Sequence, residues 1–307
     1  MTGLGVCGAD GLDCVTEMNA PKPLALSPSR ASDYQQCPLL YRFRAIDRLE
    51  EPTTLAQLTG TLVHAVLEHL HGLPPEDRTY PAAVKLIKPE WAKLLAKDPT
   101  LRGVVGDTPQ QELDFLVTCR SLVRGYFEME NPQGFSAEQC EMYVNTVLPN
   151  GVPVRGFIDR VDVAPTGQVR VVDYKTGKKP LPRYAAAARF QMRFYALVYW
   201  RMFQIIPTQL RLMYLKVSDS LILTPSQEEL EFFERDLGDL WAKIEGDGLS
   251  GRFRPQTSKL CGWCSFQHLC PEFGGTPPEY PGWPGSVAKP LESVAVGLDF
   301  GADSPLQ

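Results

Sequence analysis

Two stretches in the middle of the chain set carboxylates among apolar residues at strand spacing. In VRGFIDRVDV (154–163), a period of two places Phe157, Asp159, Val161 and Val163 on one face. In VRVVDYK (169–175), the same period groups Val169, Val171, Asp173 and Lys175. A carboxylate among apolar neighbours is costly unless it is paired or metal-bound. Asp159 and Asp173 can therefore sit side by side on the buried face of adjacent strands, with Lys175 one pleat beyond. Two converging carboxylates and a lysine suit a divalent cation and a water-derived nucleophile. Hard oxygens hold Mg²⁺ or Mn²⁺. The cation polarises a phosphate and acidifies water, and the lysine orients that water or offsets charge. A buried Asp–Lys ion pair would give the same spacing.

A second group lies near the C-terminal end. Cys261, Cys264 and Cys270 fall within ten residues, with Trp263 and Phe266 available to shield them. Three thiols that close can converge on zinc or an iron–sulfur cluster, given a fourth ligand. Spacing leaves both metals open, and both His268 and Cys37 as the fourth ligand. Cys7, Cys14, Cys37, Cys119 and Cys140 are scattered, and Cys7 and Cys14 read as free thiols. His64, Glu68 and His71 stand at i, i+4 and i+7 on a helical pattern. The string is neither H-E-x-x-H nor H-x-x-E-H, so a zinc-protease helix is rejected. A lone helical histidine is more often structural than a ligand.

Elements must position these groups. Ser27–Pro28 reads as a helix start, with the helix continuing through Phe43. Residues 55–72 carry a helical apolar stripe, and residues 81–97 and 109–130 read as helices of an insert (81–130). After residue 139 the pattern turns to three strands joined at Pro149–Asn150–Gly151 and Pro165–Thr166–Gly167, an antiparallel meander. Residues 183–203 then read as a helix, 208–217 as a strand and 226–245 as a helix. The order gives an α/β core with a mixed sheet flanked by helices. Residues 1–24 read as a flexible leader, 25–273 as one domain with the cysteine segment at 258–273, and 274–307 as a disordered or draped tail.

The chain has 307 residues, 44% hydrophobic and 22% charged, with a net charge of −5. That composition excludes a wholly disordered, collagenous or membrane-embedded chain. No apolar run reaches the ~18 residues of a spanning helix. No basic, apolar export signal opens the chain, so a reducing cytoplasmic setting and metal-binding cysteines are expected. The net charge conceals an asymmetry. Between Gly151 and Lys216 there are twelve Lys or Arg and three acids, a balance of +9, against −14 for the rest. A cationic segment around paired carboxylates fits a phosphodiester polyanion.

Together the strings SPSRASDYQQCPLLYRFR, GTLVHAVLEHL, GFIDRVD, VVDYKTG, QMRFYALVY and CGWCSFQHLCP resemble the RecB-like branch of the PD-(D/E)xK nucleases. The resemblance is to its iron–sulfur exonucleases in particular, related to AddB nuclease domains and CRISPR adaptation exonucleases, and spans about residues 26–272. It implies a restriction-endonuclease-like core and Mg²⁺- or Mn²⁺-dependent DNA exonuclease activity on single strands or ends, in repair or recombination. It implies metal ligands His64, Asp159, Asp173 and the Tyr174 carbonyl, with Lys175 as the catalytic lysine. Gln191 and Tyr195 match its Q-x-x-x-Y motif. Cys37, Cys261, Cys264 and Cys270 match the four ligands of a 4Fe–4S cluster. The sequence has no Walker A string, so a separate helicase or repair partner would supply any motor. The alternatives are a non-catalytic DNA-binding module and a zinc- or cluster-stabilised interaction subunit of a repair complex.

Overall fold

The computed structural model describes residues 23–181 and 185–285. The elements follow from their caps. Ser27 accepts from the Arg30 amide and precedes Pro28 at the head of α1 (Pro28–Gln36). The expected continuous N-terminal helix is instead broken at Cys37, whose backbone is extended (φ −165°, ψ 113°). A residue before proline is pushed out of the helical region, and Pro38 follows. The chain restarts as α2 (Pro38–Tyr41) and ends in a π turn at Arg42–Ile46. Thr54 and Gln57 form a capping box at the head of α3 (Leu55–His71). The helices α4 (Tyr80–Lys97), α5 (Leu101–Val105) and α6 (Pro109–Met129) follow.

The meander is present. β1 (Ala137–Val147), β2 (Pro153–Val163) and β3 (Val169–Lys175) pair antiparallel, with glycines at positive φ (Gly151, +86°; Gly167, +80°) in the two turns. The helix α7 (Ala186–Phe203) then crosses over, so that β4 (Gln209–Tyr214) runs parallel to β3. A fifth strand, β5 (Asp219–Leu223), pairs antiparallel with β4 at the edge. Sequence reasoning missed it, because five residues opening Asp-Ser carry too little alternation to signal a strand. α8 (Gln227–Ser250) closes the core from a Ser226–Glu229 capping box.

Both faces of the sheet centre are covered. Val169, Val171, Leu210 and Leu212 pack with α1, α7 and α8. Val172, Tyr174, Met213 and Leu215 pack with α3, α4 and α6. This explains the apolar run VRVV in β3, which serves two layers. Residues 274–285 lie against the body: Tyr280 donates to the Gly248 carbonyl (2.7 Å), and a Cβ at Gly248 would stand 2.1 Å from the Trp283 ring. Leu24 is fully buried. Residues 1–22, with Cys7 and Cys14, lie outside the described residues, as do 286–307 and Arg183.

Candidate active site

The β2–β3 register pairs Arg160 with Val172, which sets Asp159 beside Asp173 one step further along. Asp159 and Asp173 are both buried. The Tyr174 amide donates to Asp159 Oδ2 at 2.7 Å. Burial, and then the charge of Asp173, push the Asp159 carboxyl well above its usual value. Two acids in one dry pocket cannot both ionise cheaply without a cation.

α7 supplies the clamp. Gln191 Nε2 donates to Asp173 Oδ1 (2.7 Å), and its Oε1 accepts from Lys175 Nζ (2.8 Å). Lys175 Nζ also lies 2.7 Å from Asp173 Oδ2, an ion pair that sets a cation directly against this buried oxygen. Tyr195 stands one helical turn beyond Gln191. Its ring is 3.0 Å from where a Cβ on Gly156 would be, so the glycine in β2 lets the ring pack close against the strand. Burial, then the charge of Asp173, hold its phenol well above the ordinary range and therefore protonated.

α3 completes the pocket. His64 Nε2 lies 3.1 Å from the Tyr174 carbonyl, which can only accept, so this nitrogen carries a proton. Nδ1 faces Asp159 Oδ2 at 3.6 Å and Glu141 Oε1 at 3.7 Å. Burial opposes charge on this ring most strongly. Glu141, Asp159 and Asp173 together outweigh it and raise the pKa to about 9. His64, Asp159, Asp173, Tyr174, Lys175, Gln191 and Tyr195 thus converge, whereas His71 turns elsewhere. His71 is buried against Tyr126 (2.9 Å), and Glu68 is exposed.

Sequence reasoning missed Glu141. A carboxylate oxygen of Glu141, one of Asp159 and a ring nitrogen of His64 all lie within 4.8 Å of one another. The β1–β2 register pairs Cys140 with Arg160 and Met142 with Ile158, which sets Glu141 opposite Asp159. Its backbone has a left-handed φ of +46°, unusual for a side-chain-bearing residue. Alternation breaks at this point. Ile158 and Val161 differ in parity yet join the same apolar cluster. Phe157, expected on the buried face with Asp159, is turned outward and 53% exposed.

The basic segment also needs correction. Arg160 is fully buried and bonds Glu130 of the α6 terminus at 2.6 Å. Arg211 bonds the same carboxylate (2.9 Å), and Arg170 bonds Asp162 (2.7 Å). Arg201 pairs with Glu234 and Lys179 with Asp219. Glu130, Glu234 and Asp219, from outside the segment, offset part of the +9, so it is not one continuous cationic surface.

Cys37, Cys261, Cys264 and Cys270 line a single pocket with Leu39, Leu40, Phe43 and Phe266. The Gln256 amide donates to Cys37 Sγ and the Ser258 amide to Cys261 Sγ, each at 3.3 Å. Burial, then Cys37, Cys261 and Cys264, raise the Cys270 pKa, so the four thiols feel one another. Phe266 is buried on Phe43 (centroids 5.3 Å apart), but Trp263 is 84% exposed at the turn tip and shields nothing. His268 is exposed and does not line the pocket.

The Gene 69 protein of Mycobacterium phage L5 is 23% identical over 285 residues, covering 80% of this chain and 96% of that protein. The Gene 69 protein of Mycobacterium phage D29 is 27% identical over 194 residues, covering 56% of this chain and 67% of that protein. A crystal structure from Eubacterium rectale, of a protein provisionally assigned as an exonuclease, superposes with a TM-score of 0.51 at 13% identity. It covers 78% of this chain and 86% of that one, a likeness of fold. The sequence profile of the PD-(D/E)XK nuclease superfamily matches residues 25–271, a span that holds every residue of the pocket and all four thiols. The chain belongs to the PD-(D/E)XK nuclease superfamily.

Proposed function

We propose that the protein is a Mg²⁺- or Mn²⁺-dependent DNA exonuclease, acting on single strands or DNA ends. The observation that carries this reading is that Asp159 and Lys175 line an open cleft of about 890 Å³, with Asp173 2.7 Å from Lys175 and His64 3.6 Å from Asp159. The residues present fit a divalent cation. Asp159 and Asp173 lie buried side by side, Asp159 is driven to hold a proton, and Nδ1 of His64 faces two carboxylates. His64, Asp159, Asp173 and the Tyr174 carbonyl would hold the metal. A bound cation supplies Lewis-acid charge and a water of lowered pKa. Gln191 fixes the direction of Asp173 and the reach of Lys175. Lys175 then offsets the charge that gathers on the phosphate as a water oxygen bonds to phosphorus and the leaving oxygen departs. A setting in repair or recombination, with a separate helicase or repair partner, follows from the RecB-like sequence strings.

The four cysteines are proposed to hold a 4Fe–4S cluster that is structural, since four thiolates fill its ligand positions. Among the described residues, the only three ligand atoms within 4.8 Å of one another belong to His64, Glu141 and Asp159. The choice of a 4Fe–4S cluster over zinc rests on the match of Cys37, Cys261, Cys264 and Cys270 to the iron–sulfur strings of the resemblance. No described helix is long and apolar enough to cross a membrane.

The test is to incubate anaerobically purified protein with end-labelled oligonucleotides and Mn²⁺ or Mg²⁺. A metal-dependent ladder of short products is expected. Intact substrate with both metals, on single strands and on duplex ends, overturns the reading.

A further inference from the structure

The cleft carries a feature that metal chemistry does not use. Tyr143 and Phe157 face each other across the β1–β2 ladder, with ring centroids 5.0 Å apart and planes at 44°. They are 49% and 53% exposed, while Met142, Val144, Val154 and Ile158 on the same two strands are buried. Large exposed aromatics set together on a rigid hairpin mark a contact surface. Both line the cleft that holds Asp159 and Lys175.

The cleft is also polar and cationic. Ser27, Ser29, Arg30, Ser32 and Arg155 line it too. Arg30 is fixed by a 2.7 Å bond to the Ala25 carbonyl. Burial, and then the nearby charge of Arg155, pull its pKa below the usual value. Two guanidiniums held close together favour an anion between them.

Aromatic faces and guanidiniums beside a phosphate-cleaving centre suit a strand whose bases are unpaired. In a duplex the base faces are covered by their neighbours, whereas single strands stack on protein aromatics. Phe157 is two residues from Asp159, about 7 Å along the strand. A base on the pair would therefore sit about one nucleotide step from a phosphate at the acids.

We propose that Tyr143 and Phe157 form a stacking subsite that grips one unpaired base of a single-stranded nucleic acid, with Arg30 and Arg155 taking a phosphate further along it. This rests on the nuclease reading of the cleft. Stacking tolerates any base, so the subsite selects unpaired strand rather than sequence.

The test is binding by the full chain in chelator, where nothing is cut. Fluorescence anisotropy compares a labelled thymidine 15-mer with an abasic 15-mer of the same backbone. The wild type should prefer the base-bearing strand. The double variant Y143A/F157A should lose about tenfold of its affinity for that strand and less than about twofold for the abasic one. Y143F should bind as wild type. Both side chains are half exposed, so an unchanged melting temperature should accompany the loss. A double variant with the wild-type ratio between the two strands overturns the proposal. So does an equal loss on duplex, which would make the pair a groove contact. So does tighter wild-type binding after removal of residues 1–22 with no preference for bases, which would make the chain's own N-terminal segment the occupant. Base-dependent binding with no cleavage in Mn²⁺ would overturn the nuclease reading and leave the subsite standing.

Discussion

The Gln191 amide donates to Asp173 Oδ1 at 2.7 Å, and so fixes which way a buried carboxylate turns. The oxygen of the same amide holds Lys175 at 2.8 Å. One side chain on α7 thus orients both the acid and the cation of β3. Gln191→Ala should lower kcat by about tenfold or more, because misplaced groups lose preorganised stabilisation. Gln191→Glu should be worse, since it can hold Lys175 but cannot donate to Asp173. Cleavage rates at saturating Mn²⁺ check both. Equal rates in Gln191→Glu and wild type would remove Gln191 from the positioning role.

Asp173→Asn and Lys175→Ala should each reduce cleavage by at least ~10²-fold. Their stabilities should diverge from their activities. Burial and the charge of Asp173 drive Asp159 towards protonation, so the two acids repel in the absence of metal. Asp173→Asn removes that repulsion, and its melting temperature in chelator should match or exceed the wild type. Added Mn²⁺ should raise the wild-type melting temperature and leave Asp173→Asn nearly unmoved. A large metal-induced rise in Asp173→Asn would sink the ligand assignment.

Glu141→Gln tests the carboxylate that faces His64 Nδ1 at 3.7 Å. If Glu141 helps hold the cation, cleavage should require about tenfold more Mn²⁺ for half-maximal rate, by analogy with outer-sphere partners of metal sites. The rate at saturating metal should change little. An unchanged metal requirement would leave Glu141 as a partner of the protonated histidine alone.

These residues differ in how far the sequence reveals them. Asp159, Asp173 and Lys175 are legible because strand period and a short turn place neighbouring strands in register. Gln191 and Tyr195 are legible only through the family string, since nothing in helix periodicity says which helix face meets β3. Glu141 is not legible. Its place depends on the β1–β2 register and on a positive φ that a glutamate does not announce. The basic segment misleads for a related reason. Charge counted along the chain cannot see that Glu130, at the end of α6, reaches Arg160 and Arg211. β5 escapes because its pairing with β4, rather than its composition, makes it a strand.

The Arg160 network should dominate stability on the opposite face of the sheet. Glu130→Gln leaves a fully buried guanidinium short of charge and should cost about 3–5 kcal/mol, read by chemical denaturation. His71 sits in the same network, its Nε2 3.1 Å from Arg160 Nη1. Burial, then the charge of Arg160, push its pKa down to about 3. The unfolded chain takes up a proton near pH 6.5 that the folded chain refuses. Stability from this group is therefore complete above about pH 6.5 and lost as pH falls towards 3. His71→Gln should flatten the decline in melting temperature between pH 7 and pH 4.5. The same slope in both proteins would assign the decline to other groups.

Cys37 carries the proposed cluster's longest span. It sits at the break between α1 and α2, its Sγ accepting from Gln256, 219 positions downstream. A metal centre shared by Cys37, Cys261, Cys264 and Cys270 ties the N-terminal helices to the C-terminal segment. Closing a loop of that length in the unfolded chain costs about 5 kcal/mol by loop-closure entropy, as an upper-end figure. A cluster that forms only when folded thus clips the two ends of the domain together. Cys37→Ala should lower iron content, bleach the visible absorbance of the wild type and lower the melting temperature. Activity per folded molecule should fall much less, because the thiols lie outside the cleft of Asp159 and Lys175. Cys119→Ala removes a buried thiol that does not line the cysteine pocket, so it should keep full iron even where packing loss lowers its melting temperature. Full iron and unchanged melting in Cys37→Ala would remove Cys37 from the ligand set.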